Sequence, residues 1–187
     1  MLDKILTLDK ELLIFLNGLG SSTFDPFWMV ITKQSNWTPF FLILLYLIFK
    51  KVGVKQTLYL LVFIIVLITI SDQFTNLVKE TFQRLRPCSD PNINSLIRVV
   101  KPSETFSFFS GHASNSMAVS SFLYFILKDK FKYFGLLFLW PLIFAYSRIY
   151  LGLHYPTDII CGYIHGFILG FLFYKLFRFL QLKKVII

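Results

Sequence analysis

The sequence has few acidic residues and very little cysteine. Asp and Glu number 10 against 19 Lys and Arg, which gives a net charge of +9, and the acidic residues are scattered along the chain. The 2 cysteines, Cys88 and Cys161, lack the paired spacing of a zinc or redox site, so both are expected to be free. With no cluster of carboxylates or thiols to hold an ion, the sequence predicts neither a metal site nor a cofactor.

Apolar side chains, in contrast, are abundant. Hydrophobic residues make up 56% of the chain, 23 residues are Phe, and the mean hydropathy is +0.66, whereas ordinary soluble domains are about 45–50% apolar. A soluble domain of 187 residues has no interior large enough to bury so much apolar surface. We therefore expect an integral membrane protein of the all-α class, because helices satisfy their own backbone hydrogen bonds in lipid.

Long uninterrupted apolar runs are nevertheless missing, since none of the candidate spans reaches the roughly 20 apolar residues that a bilayer favours. Residues 1–36 contain no stretch able to span and are predicted to form interfacial helices anchored by Trp28 and Trp37, with a short re-entrant span as the alternative. Residues 37–187 then form the membrane core, a polytopic transmembrane bundle of five to six spans. Five segments are predicted to cross, at 37–50, 56–79, 110–127, 132–149 and 157–178.

The basic residues show how the chain is oriented. With five crossings, the clusters that follow the first, third and fifth spans fall on one side, which the positive-inside bias makes cytoplasmic together with the C-terminus. The net charge then reflects topology in a bacterial-type inner membrane rather than nucleic-acid binding. The clusters consist of Lys50, Lys51, Lys55, Lys128, Lys130, Lys132, Lys175, Arg178, Lys183 and Lys184.

Other ionisable residues converge on the opposite, outer side, where ionisable groups near membrane depth indicate a functional site. Lys79 and Arg86 are seven residues apart, about two helical turns, so they are predicted to share a helix face that ends at Pro87. The residues concerned lie in three stretches, KETFQRLRP (79–87), FFSGHASN (108–115) and SRIYLGLHYPTD (147–158).

The cations of this face suit a phosphate group. Arg148 joins Lys79 and Arg86 as a third certain cation. Ser110 and Gly111 directly precede or begin a predicted helix, whose N-terminus attracts anions. The set therefore predicts a site for a polyanion, most naturally phosphate, whose charge is stabilised by Arg and Lys instead of a metal.

The histidines and the carboxylate of this face suit covalent catalysis. His154 and Asp158 are four residues apart around Pro156, which predicts a histidine just ahead of a helix and a carboxylate in its first turn. The carboxylate then holds one ring nitrogen and leaves the other free as a nucleophile. His112 is available as general acid toward the leaving oxygen and later as base toward water.

Residues near this set have less specific signals. Asp72 lies seven residues before Lys79 and is predicted to support the site, either by pairing with a cation or by accepting hydrogen bonds. Asn115, one turn after His112, is a candidate for positioning it or for packing. Arg84 and Glu80 are predicted to face lipid headgroups, and the long loop 88–109 is a candidate for headgroup selection.

Small residues in the last span indicate close helix packing. Gly162, Gly166 and Gly170 recur every four residues on one stripe, which lets a neighbouring helix approach in lipid. His165 lies beside this stripe and is predicted to be a hydrogen-bonded interior residue rather than a ligand.

The three polar stretches resemble the motifs of the type-2 phosphatidate phosphatase (PAP2) superfamily. KETFQRLRP fits its Lys-x6-Arg-Pro motif, and SRIYLGLHYPTD fits its Ser-Arg-x5-His-x3-Asp motif. FSGH matches the middle Pro-Ser-Gly-His motif except that Phe109 replaces Pro. The resemblance extends from about residue 56 to the C-terminus and implies a core of six helices.

The resemblance also implies roles that agree with those argued from the residues. His154 forms a phosphohistidine, Asp158 orients it and His112 is the acid and base, while the phosphoryl oxygens are bound by Lys79, Arg86, Arg148, Ser110 and the Gly111 amide. The expected activity is metal-independent hydrolysis of a lipid phosphate or diphosphate, with membrane lipids as partners and no nucleic acid.

Several functions are compatible with these residues. Undecaprenyl diphosphate is preferred narrowly as substrate, with phosphatidylglycerophosphate, phosphatidate and lipid A phosphate as alternatives. Transfer of phosphate to another lipid or to a sugar is a second hypothesis. A non-catalytic phospholipid-binding or transport protein is a third, which the His154–Asp158 pair and His112 disfavour because holding phosphate does not require them.

Overall fold

The computed structural model describes residues 2–186, which form helices joined by turns and loops, without strands in that range. The predicted all-α class is therefore confirmed for the described residues. The α-helices are α1 (Leu2–Gly18), α2 (Asp25–Ile31), α3 (Thr38–Phe82), α4 (Gly111–Leu127), α5 (Leu139–Tyr150) and α6 (Pro156–Leu182).

Helix α3 contains the first two predicted spans and is interrupted at Gly53. This residue has φ 79° and ψ 173°, a backbone conformation open mainly to glycine, and it separates the arms 38–52 and 54–82. Ile48 of the first arm and Ile64 of the second line one cavity, so the two arms face each other. The break therefore divides a helix too long for one crossing into two segments.

Two helical stretches, Gln34–Ser89 and Pro156–Leu182, are long and apolar enough to cross a bilayer. The first contains both arms of α3, and the second is α6. A shorter apolar helical stretch, Phe134–Tyr150, includes α5. The number of five to six spans stays a prediction. Large apolar side chains remain exposed along α6, as expected of a lipid-facing surface, namely Ile160, Ile164, Phe167, Ile168, Leu172, Leu176 and Phe179.

The tightest helix pair is α4 against α6, and glycine makes it possible. A Cβ on Gly162 would lie 2.7 Å from the carbonyl oxygen of Ser110, and one on Gly166 would collide with the carbonyl oxygen of Ser114. The predicted small-residue packing stripe is thus confirmed. It fixes the N-terminus of α4 beside the first turn of α6, so the stretches FFSGHASN and SRIYLGLHYPTD meet there.

The N-terminal helix α1 lies across the ends of α5 and α6. Asn17 Nδ2 donates to the carbonyl oxygens of Ile149 and Tyr150 at the C-terminal end of α5. About two helical turns before Asn17, Asp9 of α1 accepts a hydrogen bond from the backbone N–H of Thr157 at the start of α6. Large apolar side chains of α1 are exposed, including Ile5, Leu8, Leu12 and Phe15. This arrangement suits the predicted interfacial helix, although the division at residue 36 stays a prediction.

The two tryptophans predicted to anchor the N-terminal region pack on α5. The Trp28 ring stacks on Tyr150 with centroids 5.2 Å apart. Trp37 lies edge-on to Phe144 at 6.0 Å, and its indole N–H donates to the carbonyl oxygen of Ile31. Both rings are partly buried against protein, so they attach residues 20–37 to the bundle.

Candidate active site

His154 and Asp158 form a buried pair at the start of α6. His154 lies in the α5–α6 loop, and Asp158 occupies the first turn of α6, as the spacing predicted. Oδ2 of Asp158 is 3.3 Å from Nδ1 of His154 and accepts a 2.9 Å hydrogen bond from the backbone N–H of Tyr155. The two side chains are 2% and 0% exposed, so bulk water competes little for their contact.

The contact with Arg86 determines which nitrogen of the His154 ring carries the proton. Nη1 of Arg86 lies 3.0 Å from Nε2 of His154. A guanidinium N–H only donates, so Nε2 is the acceptor and Nδ1 carries the proton that is given to Asp158. Burial lowers the pKa of His154 well below its usual value, and the nearby charge of Arg86 lowers it further. The imidazole is therefore neutral, with its lone pair on Nε2.

Arg86 reaches the site by a different path from the one predicted. Helix α3 ends at Phe82, and Gln83 follows in the left-handed conformation with φ 47°. The prediction that Lys79 and Arg86 share a helix face ended by Pro87 was wrong, because the helix ends four residues before Arg86. Both side chains nevertheless line one cavity.

The N-terminus of α4 is bound to α6. Ser110 is the N-cap, as predicted, and its hydroxyl accepts a 3.4 Å hydrogen bond from Ala113 N. The Ser110 N–H donates to the carbonyl oxygen of Asp158 at 3.0 Å. At Gly111, an added Cβ would lie 3.9 Å from Nζ of Lys79, so this cation is next to the helix start. Three predicted phosphate-binding residues are thus adjacent.

Arg148 and His112 are linked by a residue that the sequence did not identify. Nη1 of Arg148 donates a 2.6 Å hydrogen bond to Oγ1 of Thr32. The backbone oxygen of Thr32 lies 3.3 Å from Nε2 of His112, whose ring stacks on Phe144 at 4.6 Å. Thr32 is only 5% exposed. A lone Thr between α2 and α3 carries no recognisable sequence signal.

A cavity of about 560 Å³ joins these residues to the apolar interior. Its polar end is formed by Lys79, Arg86, Gly111, His112, Arg148 and His154. Its walls are mostly apolar and come largely from the two arms of α3, including Phe41, Leu42, Leu45, Ile48, Leu61, Ile64 and Ile68. A polar end with several cations and an apolar extension suits an amphiphile with an anionic head.

Asp72 and Asn115 lie on the wall of this cavity. Asn115 Nδ2 is 3.4 Å from Oδ1 of Asp72, and Oδ1 of Asn115 accepts a 2.6 Å hydrogen bond from Ser71. Asp72 thus accepts hydrogen bonds, which is one of the two roles considered for it. The Ser71 hydroxyl is also hydrogen-bonded to the Ser114 hydroxyl at 2.8 Å. The Ser114 hydroxyl in turn lies 2.7 Å from Nδ1 of His165. His165 is therefore the hydrogen-bonded histidine predicted from sequence.

Arg84 was predicted to face lipid headgroups, and that prediction was wrong. Its Nη1 donates to Oδ1 of Asp158, and its Nη2 donates to Oδ2 of Asp9, both at 2.7 Å. The two carboxylates draw the side chain inward, where ion pairing offsets the cost of burying charge. Asp9 lies 75 residues away in sequence, so no local pattern reveals the contact. Glu80 is exposed, as predicted.

The loop 88–109 and the two cysteines lie around the candidate active site. Cys88 and Cys161 are both free, as predicted. The loop closes over the α5–α6 turn, since Cys88 N–H donates to the Gly152 carbonyl oxygen at 3.0 Å. Thr105, near its end, accepts hydrogen bonds from Nε and Nη2 of Arg86. The loop thus holds a phosphate-binding candidate, and its selection of headgroups stays a prediction.

Comparison with known proteins agrees with this geometry. A model of the PAP2 superfamily matches residues 56–181. The lipid A 4'-phosphatase of Bacteroides thetaiotaomicron is 34% identical over 178 residues, which are 93% of this chain and 79% of that protein. The lipid A 4'-phosphatase of Porphyromonas gingivalis is 29% identical over 181 residues, 95% of this chain and 76% of that protein.

A solved structure supports the fold. The crystal structure of a transmembrane PAP2 type phosphatidylglycerolphosphate phosphatase from Bacillus subtilis aligns with a TM-score of 0.67 at 20% identity, covering 94% of this chain and 87% of that one. The family model covers more than half of the chain, and its match includes all three polar motifs. This protein therefore belongs to the PAP2 superfamily and is a lipid phosphatase.

Proposed function

We propose that the protein hydrolyses a phosphate monoester of a lipid A-type glycolipid through a phosphohistidine on His154. The observation that supports this most strongly is the placement of the His154 ring, with Nδ1 on Asp158 and Nε2 at the polar end of the cavity beside Arg86. A neutral imidazole held in this way has its nucleophilic lone pair directed at the position where the cations gather phosphate oxygens.

In the first step, phosphoryl oxygens take the N–H donors of Arg86, so that Nε2 of His154 is released toward phosphorus. The new N–P bond forms as the bond from phosphorus to the lipid oxygen breaks. Arg86, Arg148 and Lys79 stabilise the charge on the equatorial oxygens. Protonated His112 gives its proton to the departing lipid oxygen, which leaves as an alcohol.

In the second step, neutral His112 takes a proton from a water molecule, and the resulting hydroxide attacks the phosphohistidine. The N–P bond breaks, inorganic phosphate leaves, and His154 and His112 return to their starting states. Asp158 stabilises the positive charge of the His154 ring while the ring carries phosphate. His112 therefore gives one proton to the lipid alcohol in the first step and regains one from water in the second, and neither step needs a metal ion.

A lipid A-type substrate is favoured over undecaprenyl diphosphate. Both relatives described above are lipid A 4'-phosphatases by name, and the first of them is 34% identical over 93% of this chain. The cavity also joins the polar end to a broad apolar wall along both arms of α3, which suits a head bearing acyl chains close to the phosphate. No residue supports the narrow preference for undecaprenyl diphosphate.

The site is proposed to lie on the outer, periplasmic face, with the C-terminus in the cytoplasm. The Lys-rich segments 50–55, at the break in α3, and 128–132, after α4, lie at the ends of the second arm of α3 and of α4 that are opposite to the polar motifs. The positive-inside bias then places the polar motifs outside. Reporter fusions after residue 53 and after residue 152 test this, because the two positions should report opposite sides of the membrane.

The substrate test uses the full chain purified in detergent, with EDTA present, on lipid A, undecaprenyl diphosphate, phosphatidylglycerophosphate and phosphatidate. Phosphate release should be fastest from lipid A, and mass spectrometry should show the loss of one phosphate. The variant His154→Ala, purified in parallel, controls for contaminating phosphatases. Faster release from undecaprenyl diphosphate would reject the lipid A proposal, and appearance of a phosphorylated acceptor without free phosphate would indicate phosphotransfer.

A further inference from the structure

Arg84 joins α1 to the proposed catalytic pair. Its two terminal nitrogens bind different carboxylates, one on Asp158 of α6 and one on Asp9 of α1, each at 2.7 Å. The same Nη1 also donates to Oγ1 of Thr157 at 2.9 Å. The carboxylates of Asp9 and Asp158 are each 0% exposed, so Arg84 is their cationic partner away from bulk water.

We propose that Arg84, held in place by Asp9, is a positioning residue that orients the Asp158 carboxylate toward His154. This inference rests on the proposed role of His154 as nucleophile. It makes α1 part of the catalytic apparatus, whereas the sequence presents residues 1–36 only as an interfacial attachment.

The carboxylate of Asp158 is fixed through both of its oxygens. Oδ2 faces Nδ1 of His154 and accepts from Tyr155 N, while Oδ1 accepts from Arg84. If Oδ1 lost Arg84, only the contacts of Oδ2 would hold the carboxylate, so it could tilt about its Cβ–Cγ bond and would orient the His154 ring less firmly. A shift of about 1 Å in a reacting group costs on the order of 10²-fold in rate.

Arg84 is itself held on three sides. Its guanidinium lies over the ring of Tyr155 at 3.8 Å, which sets the plane of the fork. Asp9 accepts from Arg84 and also from the N–H and Oγ1 of Thr157, at 2.8 and 2.6 Å. Asp9 therefore ties the far end of Arg84 to the same helical turn that bears Asp158. A Lys ammonium lacks the planar fork, so it is not expected to reproduce the contacts that the two separate nitrogens of Arg84 make with Asp158 and Asp9.

Arg84 acts through Asp158 and not on phosphate. It does not line the cavity that contains Lys79, Arg86 and Arg148. Its terminal nitrogens already bind carboxylate and hydroxyl oxygens. Substitution of Arg84 should consequently change the rate of phosphoryl transfer and leave the binding of a phosphate analogue intact.

The experiment compares Arg84→Lys, Arg84→Ala and Asp9→Asn with a matched control, Asp25→Asn. Asp25 forms a similar ion pair with Arg98, at 2.9 and 3.0 Å, which also attaches the N-terminal region but has no contact with His154 or Asp158. For each variant, kcat and KM are measured on whichever lipid the wild type hydrolyses, together with the vanadate inhibition constant and the thermal midpoint in detergent. Arg84→Ala is also assayed with added methylguanidinium.

We expect Arg84→Lys to lower kcat on the order of 10²-fold with KM and vanadate inhibition within about threefold of wild type. Methylguanidinium should raise the kcat of Arg84→Ala by about tenfold or more. Asp9→Asn should lower kcat by less than Arg84→Lys does, and the kcat of Asp25→Asn should stay within about threefold of wild type. These limits correspond to about 0.7 kcal/mol or less for a threefold change.

Unchanged kcat in Arg84→Lys, or an equal loss in Asp25→Asn, would overturn the inference, because the ion pair would then be merely structural. Failure of methylguanidinium to rescue a folded Arg84→Ala would also contradict it. A failure of the proposed function is recognised separately. In that case His154→Ala retains turnover, or the wild type hydrolyses a lipid other than lipid A, whereas the Arg84 comparison is made on the substrate that is actually hydrolysed.

Discussion

Nη1 of Arg86 donates a 3.0 Å hydrogen bond to Nε2 of His154, the atom proposed to attack phosphorus. In the proposed mechanism, Arg86 is a phosphate-binding cation that covers the His154 nucleophile until substrate arrives. The proposal then requires an incoming phosphoryl group to accept from Arg86 and so to release the lone pair of His154 in one event. The same contact selects the tautomer with a proton on Nδ1, because Arg86 is unable to accept.

Replacing Arg86 should therefore impair both phosphate binding and transfer. Removal of one donor that stabilises developing charge costs about 10²–10³-fold in kcat, so Arg86→Gln should lose at least this much and bind vanadate more weakly. Arg178→Gln is the control, because Arg178 is an exposed residue of α6 near the C-terminus whose Nη1 donates to Oε1 of Gln181, far along the chain from the polar motifs. Normal vanadate inhibition in Arg86→Gln would contradict a phosphate-binding role.

The three histidines should differ sharply in their importance. Since general acid–base steps contribute about 10²–10⁴-fold and the covalent step adds to this, His154→Ala and His112→Ala should each lose several orders of magnitude in kcat. His165→Asn should retain most activity, because Asn can still bond Ser114, the partner of His165. Rapid acid-free quenching with radiolabelled substrate should detect a phosphoenzyme in the wild type and none in His154→Ala.

The activity should persist into mildly acidic solution. Burial, and then the charge of Arg86, lowers the pKa of His154 well below its usual value of about 6.5. A lowered pKa keeps the ring neutral as the pH falls through 6.5, so protonation of His154 should occur only at lower pH. The check is an NMR titration of histidine-labelled protein, in which the signal absent from His154→Ala should show a midpoint well below the usual 6.5. A midpoint at or above 6.5 would be inconsistent with the neutral nucleophile.

Thr32 should matter more than its sequence context indicates. Thr32→Val keeps the shape of the side chain but removes the Oγ1 acceptor of Arg148, so it leaves a buried guanidinium less satisfied. The expected loss of stability is about 1–3 kcal/mol, with a reduced kcat/KM for hydrolysis. Thr32→Ser should restore both properties. The control Thr81→Val removes an exposed hydroxyl that is bonded to Leu77 O, so it should change neither the stability nor kcat/KM. Thermal unfolding and the hydrolysis assay measure the two properties.

Much of the site was evident in the sequence because its residues lie in short motifs with local geometry. The four-residue spacing of His154 and Asp158 predicted the pair that the first turn of α6 forms. The sequence placed Ser110 at or just before a helix start, where it is the N-cap of α4, and the glycine stripe at 162, 166 and 170 predicted close packing, for which α4 is the partner helix. Such features depend on interactions over one or two turns, which fix their own geometry.

The sequence by itself determined the membrane class, the three polar motifs and the chemical groups that they supply. The tertiary structure decided how those groups meet: Arg86 reaches His154 by way of a left-handed turn at Gln83, Arg84 binds Asp9 across 75 residues, and Thr32 binds Arg148 across 116. These contacts join side chains that are common on any protein surface. Only burial against a particular partner, which replaces their lost hydration, turns such side chains into parts of a site.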